Sequence, residues 1–65
     1  MKKLADQIKR RRTALGLTQA EAAKRAGMFQ ANWASFETGE RDNPSIDTLA
    51  RIATALRCRA SDLIE

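Results

Sequence analysis

The reagents of ordinary catalysis are scarce in this chain, so its chemistry has to come from charge and from amides. There is no His and one Cys among 65 residues. Neither an internal disulfide nor a Cys/His zinc site can be built from that set. The carboxylates are scattered over helix faces and loops, and no cleft-sized body surrounds them, so no catalysis, metal or cofactor is expected. What remains is cationic: 12 Lys and Arg against 8 Asp and Glu, net +4. The first 25 residues concentrate it. Lys2, Lys3, Lys9, Arg10, Arg11, Arg12, Lys24 and Arg25 meet only Asp6 and Glu21, eight against two, a local +6. Residues 26–50 carry one arginine against four carboxylates, −3, and residues 51–65 three against two, +1. A basic N-terminal part on a small domain suits a polyanion. On charge alone, a solvated helix face fits as well.

These groups need a frame, and the sequence predicts a helical one. Residues 1–65 are read as a single domain, since a chain this short has room for one. Between Gly16, Gly27, Gly39 and Pro44 lie stretches rich in Ala, Leu, Arg, Lys and Gln, all good helix formers. No alternating β-branched run suggests a strand. A first helix is expected over about Leu4 to Leu15, with Leu4, Ile8 and Leu15 as its apolar stripe, Gly16 as its stop and Leu17 folding back. A second begins at Thr18, where Thr18-Gln19-Ala20-Glu21 fits a capping box, and ends at Gly27. Ala22, Ala23 and Ala26 face inward and let a neighbour approach closely. A third runs from Gln30 to Thr38, with Trp33 and Phe36 inward and Phe29 standing where a Ser or Thr cap belongs. Ser45 caps a fourth, with Asp47 in its first turn and Ile46, Leu49, Ile52, Ala53 and Leu56 as its buried stripe. A short fifth, Ala60 to Ile64, closes the chain through Leu63 and Ile64. The expected architecture is all-α, a compact five-helix bundle.

Two short helices joined by a turn containing glycine, at residues 18–38, have the spacing of a helix-turn-helix. In that arrangement the second helix projects with its N-terminal residues exposed. A cylinder of that size fits the major groove of B-DNA, about 12 Å wide.

At this point specific residues carry a resemblance. Leu15-Gly16-Leu17-Thr18-Gln19, Glu21-Ala22-Ala23, Ala26-Gly27, Phe36-Glu37-Thr38-Gly39, Asn43-Pro44-Ser45, Leu49-Ala50-Arg51-Ile52-Ala53 and Ala55-Leu56 occur in the order and spacing of one family. The chain resembles the Xre/Cro-like helix-turn-helix family, the lambda-repressor-like DNA-binding domain, over nearly its whole length. The resemblance implies a five-helix lambda-repressor-like bundle and a sequence-specific regulator of transcription, probing double-stranded DNA as a homodimer on a palindrome. It assigns base contacts to Gln30, Ala31, Asn32 and Ser35, and phosphate contacts to Gln19, Arg12, Arg41 and Asn43. Glu37 would pair with Arg12 to hold the third helix, backed by Trp33 and Phe36. Self-contact falls to Leu63 and Ile64. The chemistry is consistent: an amide can donate and accept on adenine, and the Ala31 methyl suits a thymine methyl. Asp42, between Arg41 and Asn43, works against an extended basic loop.

The chain departs from the family at Phe29, at Trp33, which is bulkier than the usual aliphatic, and at Arg57, where relatives often carry Gly. A left-handed backbone at Arg57 would cost about 1 kcal/mol. Cys58 takes a position that is normally apolar and is read as a small hydrophobe rather than a redox switch. An antitoxin-type protein-interaction module of the same fold is the alternative, with the −3 segment as its contact. No apolar run nears the about 20 residues of a membrane span, and no signal peptide is read. A free thiol fits a reducing cytoplasm, the expected location, and the apolar face of the first helix is too narrow for a membrane surface.

Overall fold

The computed structural model describes residues 2–64, with side chains from Leu4 onwards. Five helices follow in order: α1 (Lys2–Ala14), α2 (Gln19–Ala26), α3 (Gln30–Thr38), α4 (Ile46–Ala55) and α5 (Ala60–Ile64). No strand occurs among the described residues. α3 packs between α1 and α2, α4 backs α2, and α5 closes against α1 and α4. The result is the expected all-α five-helix bundle, with a Cα radius of gyration of 10.0 Å.

The breaks between helices are built by local hydrogen bonds. At the end of α1, Gly16 is left-handed (φ 71°), the Leu17 N–H donates to the Arg12 carbonyl at 3.1 Å, and the Gly16 N–H donates to Thr13 at 3.0 Å. This is a Schellman stop, and it brings Leu17 back onto the core, where it is buried. The same bonds recur after α2, from Met28 to Ala23 and from Gly27 to Lys24. A Cβ added at Gly27 would come no closer to a neighbour than 3.6 Å, from Arg51 Nη1. The glycine there answers a backbone need (φ 70°), not crowding. After α4 the same stop is made by Arg57, at φ 56° the sole non-glycine residue with positive φ among those described, with Cys58 donating to Ala53 and Arg57 to Thr54. The strain expected at Arg57 is therefore present.

Small alanines let α2 lie close to α3 and α4: Ala22, Ala23 and Ala26 are all buried. Trp33, Ile8, Ile52 and Leu63 are the largest wholly buried side chains of the core. Cys58 is half-buried against the core, and burial raises its thiol pKa, as befits a packed sulfur.

Two stripe residues are corrected. Leu15 lies one residue beyond α1 and is 39% exposed. Ile46 is the first residue of α4 and is 89% exposed. Its helical phase points towards the core side, about 20° from Ala53, but nothing covers that end of the helix. Ala5, not counted in the stripe, is buried beside Leu4 and Ile8. At the other end of the chain, Leu63 is fully buried within its own bundle, so it is Ile64, 58% exposed, that faces out. Leu63 is accordingly corrected from a self-contact to a core residue.

Candidate nucleic-acid interface

The expected capping box at the start of α2 is made in both directions. The Glu21 N–H donates to the Thr18 hydroxyl at 3.1 Å, and the Thr18 N–H donates to Glu21 Oε1 at 2.8 Å. Hydrogen bonds from Thr18, backbone first and then side chain, hold the Glu21 carboxyl below its ordinary range. The cap fixes where α2 begins and so places Gln19 at its first turn. The chain then turns through Gly27, Met28 and Phe29. Phe29 is extended (φ −72°, ψ 148°) and makes no side-chain cap bond to α3.

α3 has two unlike sides. Trp33 and Phe36, three residues apart, are 0% and 5% exposed. Gln30 and Ala31 are exposed, and Asn32 and Ser35 are half-buried at the boundary. The Ser35 hydroxyl donates to the Ala31 carbonyl at 3.0 Å, with Glu40 Oε1 at 3.3 Å as a second acceptor. Its oxygen keeps a lone pair for an incoming donor. Gln30, Ala31 and Asn32 thus sit together at the free end of α3, with Ser35 one turn on.

Behind α3 a single carboxylate gathers donors from three helices. Glu37 accepts from Arg12 Nε at 2.5 Å and Arg12 Nη2 at 3.1 Å, from Gln19 Nε2 at 3.1 Å and from Trp33 Nε1 at 2.5 Å. Arg12 Nη1 also donates to the Leu17 carbonyl at 2.7 Å. The pair is no ordinary surface bridge, since the Arg12 and Glu37 side chains are 12% and 3% exposed. Burial pushes the Glu37 pKa up. The hydrogen bonds from Arg12, Gln19 and Trp33 and the Arg12 charge outweigh that, and the carboxyl ends below its ordinary value. Arg12 keeps two guanidinium N–H and Gln19 one amide N–H that are not spent on Glu37 or Leu17.

The remaining expected contacts lie in the loop after α3. Arg41 and Asn43 are exposed there, and their side chains line one shallow groove with Phe36 and Thr48. Arg41 also shares a groove with Asn32 and with Arg51, a cation beyond the contacts expected from the family pattern. Arg51 pairs with Asp47 at 3.0 Å, an exposed i, i+4 contact that contributes less than about 1 kcal/mol. Its proximity to Gly27 could have been suspected only by folding α4 back onto the turn. Two further partners of Glu37 were also missed. Trp33 is expected inward, in support of the third helix, without a bond to Glu37, yet Trp33 and Glu37 are i, i+4 neighbours on one face, a spacing that makes such a bond possible. Gln19 to Glu37 had no such local signal. On α1, Lys9 and Arg10 are exposed, and Arg11 leans on Gln7 at 3.3 Å. The side chains of Lys2 and Lys3 lie outside the described residues.

Among the described residues, no cluster of three His, Cys, Asp or Glu is placed to hold a metal, and no helix is long and apolar enough to cross a membrane. No curated protein and no solved structure matches the chain. A family model described as a helix-turn-helix domain matches residues 3–64. With a capped α2, a left-handed glycine turn and a half-exposed α3 at the matching positions, the chain belongs to this helix-turn-helix family of Xre/Cro-like DNA-binding domains.

Proposed function

We propose that this DNA-binding domain is a sequence-specific regulator of transcription that reads double-stranded DNA through α3. The observation that carries this reading is the division of α3: amide and methyl groups of Gln30, Ala31 and Asn32 at its free end, Trp33 and Phe36 anchored behind. Gln30, Ala31, Asn32 and Ser35 contact base edges. Gln19, Arg12, Arg41 and Asn43 contact phosphates and set the register, which carries no sequence information of its own. Glu37 holds Arg12 and Gln19 against α3, so both phosphate-contacting side chains are tied to the reading helix.

A single α3 touches only a handful of base pairs, so useful discrimination takes two copies. We place them about a twofold axis on a palindrome, with half-sites about 34 Å apart. Ile64 and the neighbouring groove of Leu4, Pro44 and Leu49 support the self-contact, because an exposed apolar side chain beside an apolar hollow gains from being covered. A dimer covering its operator would act sterically, by blocking polymerase or by assisting it from an adjacent site.

The test is selection of binding sites from random duplex DNA at stated salt. A palindromic consensus is expected. With Arg12 and Arg41 of each subunit neutralising about four phosphates in a dimer, log affinity against log salt should fall with a slope of about −4. A flat salt response, beside a stable complex with another protein, would instead favour the protein-interaction module.

A further inference from the structure

Phe29 stands at the N-cap of α3 with 80% of its surface exposed. A Ser or Thr there would accept a hydrogen bond from the helix start, and Phe accepts none. The isolated domain thus forgoes a cap and leaves an aromatic ring in water, and neither choice stabilises it. The ring is not alone. Phe29, Met28 and Gly27 line one largely apolar concavity, with Lys24 and Asn32 at its rim. That concavity lies at the same end of α3 as Gln30, the first of the base-reading residues.

We propose that Phe29 is a specificity-determining residue whose ring packs against the C5-methyl group of a thymine in the major groove, the thymine paired with the adenine contacted by Asn32. This rests on the DNA-reading role of α3 argued above. Chemistry selects the occupant. The thymine methyl is the one apolar group that the four bases present in the major groove, and Phe is among the side chains that suit it. A phosphate wants a donor, which the phenyl ring lacks and Lys24 on the same rim provides. Asn32 presents an amide able to pair with adenine N6 and N7, which brings a thymine within the same base pair. Burying one methyl group is worth about a three- to fivefold change in affinity.

The experiment uses the whole chain and its selected duplex. Each consensus thymine is replaced in turn by deoxyuridine, which removes only the methyl, and wild type is compared with Phe29→Ser. At one thymine of each half-site, wild type should bind about three- to fivefold more weakly after replacement, while Phe29→Ser should scarcely respond. Phe29→Ser restores a cap at an exposed position, so its melting temperature should stay level or rise, which separates a binding defect from a folding one. If both proteins respond alike to every thymine replacement, or if Phe29→Ser changes the oligomeric state instead, the role of Phe29 is refuted while DNA reading by α3 stands. If selection yields no preferred duplex, both fall together.

Discussion

Replacing Glu37 by Gln should unseat α3, and the size of the effect can be worked from its contacts. The substitution keeps the shape of the side chain but turns one acceptor oxygen into an amide NH2 donor. Four donors now converge on the carboxylate, two of them from Arg12. In the variant, the donors on one side of the group face another donor. Removing one member of a buried ion pair costs about 3–5 kcal/mol. Arg12 remains 12% exposed and so keeps some access to water, which pulls the expected loss to about 2–4 kcal/mol. A domain of this size changes its melting temperature by about 4–8 °C per kcal/mol, so a drop of roughly 10–25 °C is expected. Thermal melts followed by circular dichroism and by Trp33 fluorescence measure it, and Trp33 reports directly because its indole N–H is one of the four donors. There is a matching pH signature. The folded carboxyl titrates below its ordinary value of 4.5, so in acid the unfolded chain takes up the proton first. The stabilisation from Glu37 is complete above about pH 4.5 and is lost as pH falls through the lowered folded value. Wild type should lose stability there, and Glu37→Gln should lack that component. A variant that melts within about 3 °C of wild type, with an unchanged acid profile, would refute the assignment of Glu37 as the tie between α1, α2 and α3.

Other substitutions test other parts of the structure. Arg57→Gly should raise stability by about 1 kcal/mol, seen as a higher melting temperature, because glycine adopts the left-handed backbone at φ 56° without strain; an unchanged or lower value would mean that the Arg57 side chain contributes more than its backbone loses. Thr18→Ala should cost about 1 kcal/mol by opening the capping box at the start of α2, read by urea unfolding with an unchanged m-value. On DNA, Gln30→Ala should lose about 1–3 kcal/mol on the selected site and relax one base position, whereas Gln19→Ala should weaken selected and random duplexes alike. Equal losses for the two variants on both kinds of DNA would overturn the division between base and phosphate contacts.

Much of the frame was readable because it is written in local chemistry. The bounds of α3, the capping box at Thr18, the cap at Ser45 and the glycine stops depend on residues within a few positions of one another, and each stands as expected. The errors came where a local rule met the edge of the bundle. Periodicity tells which way Ile46 and Leu15 point but not whether another helix reaches far enough to cover them. In the same way, it could not rank Leu63 against Ile64, adjacent residues of which one is sealed and the other open. The Arg12–Glu37 pair was legible only through the family pattern, since 25 positions separate its members. Its near-burial and the added bonds from Gln19 and Trp33 depend on how α1, α2 and α3 cross, which no short window of sequence contains.

The position of Glu37 has a consequence for how such a domain can change its target. The angle at which α3 is presented is set from behind, by a carboxylate clamped among Arg12, Gln19 and Trp33. The residues at the front, Gln30 and Ala31, make no part of that clamp. The tips can therefore be exchanged like the teeth of a key while the bow and shank stay the same. On the proposed reading of DNA by α3, alphabet and aim are separately mutable, and a new recognition sequence need not begin with a new fold.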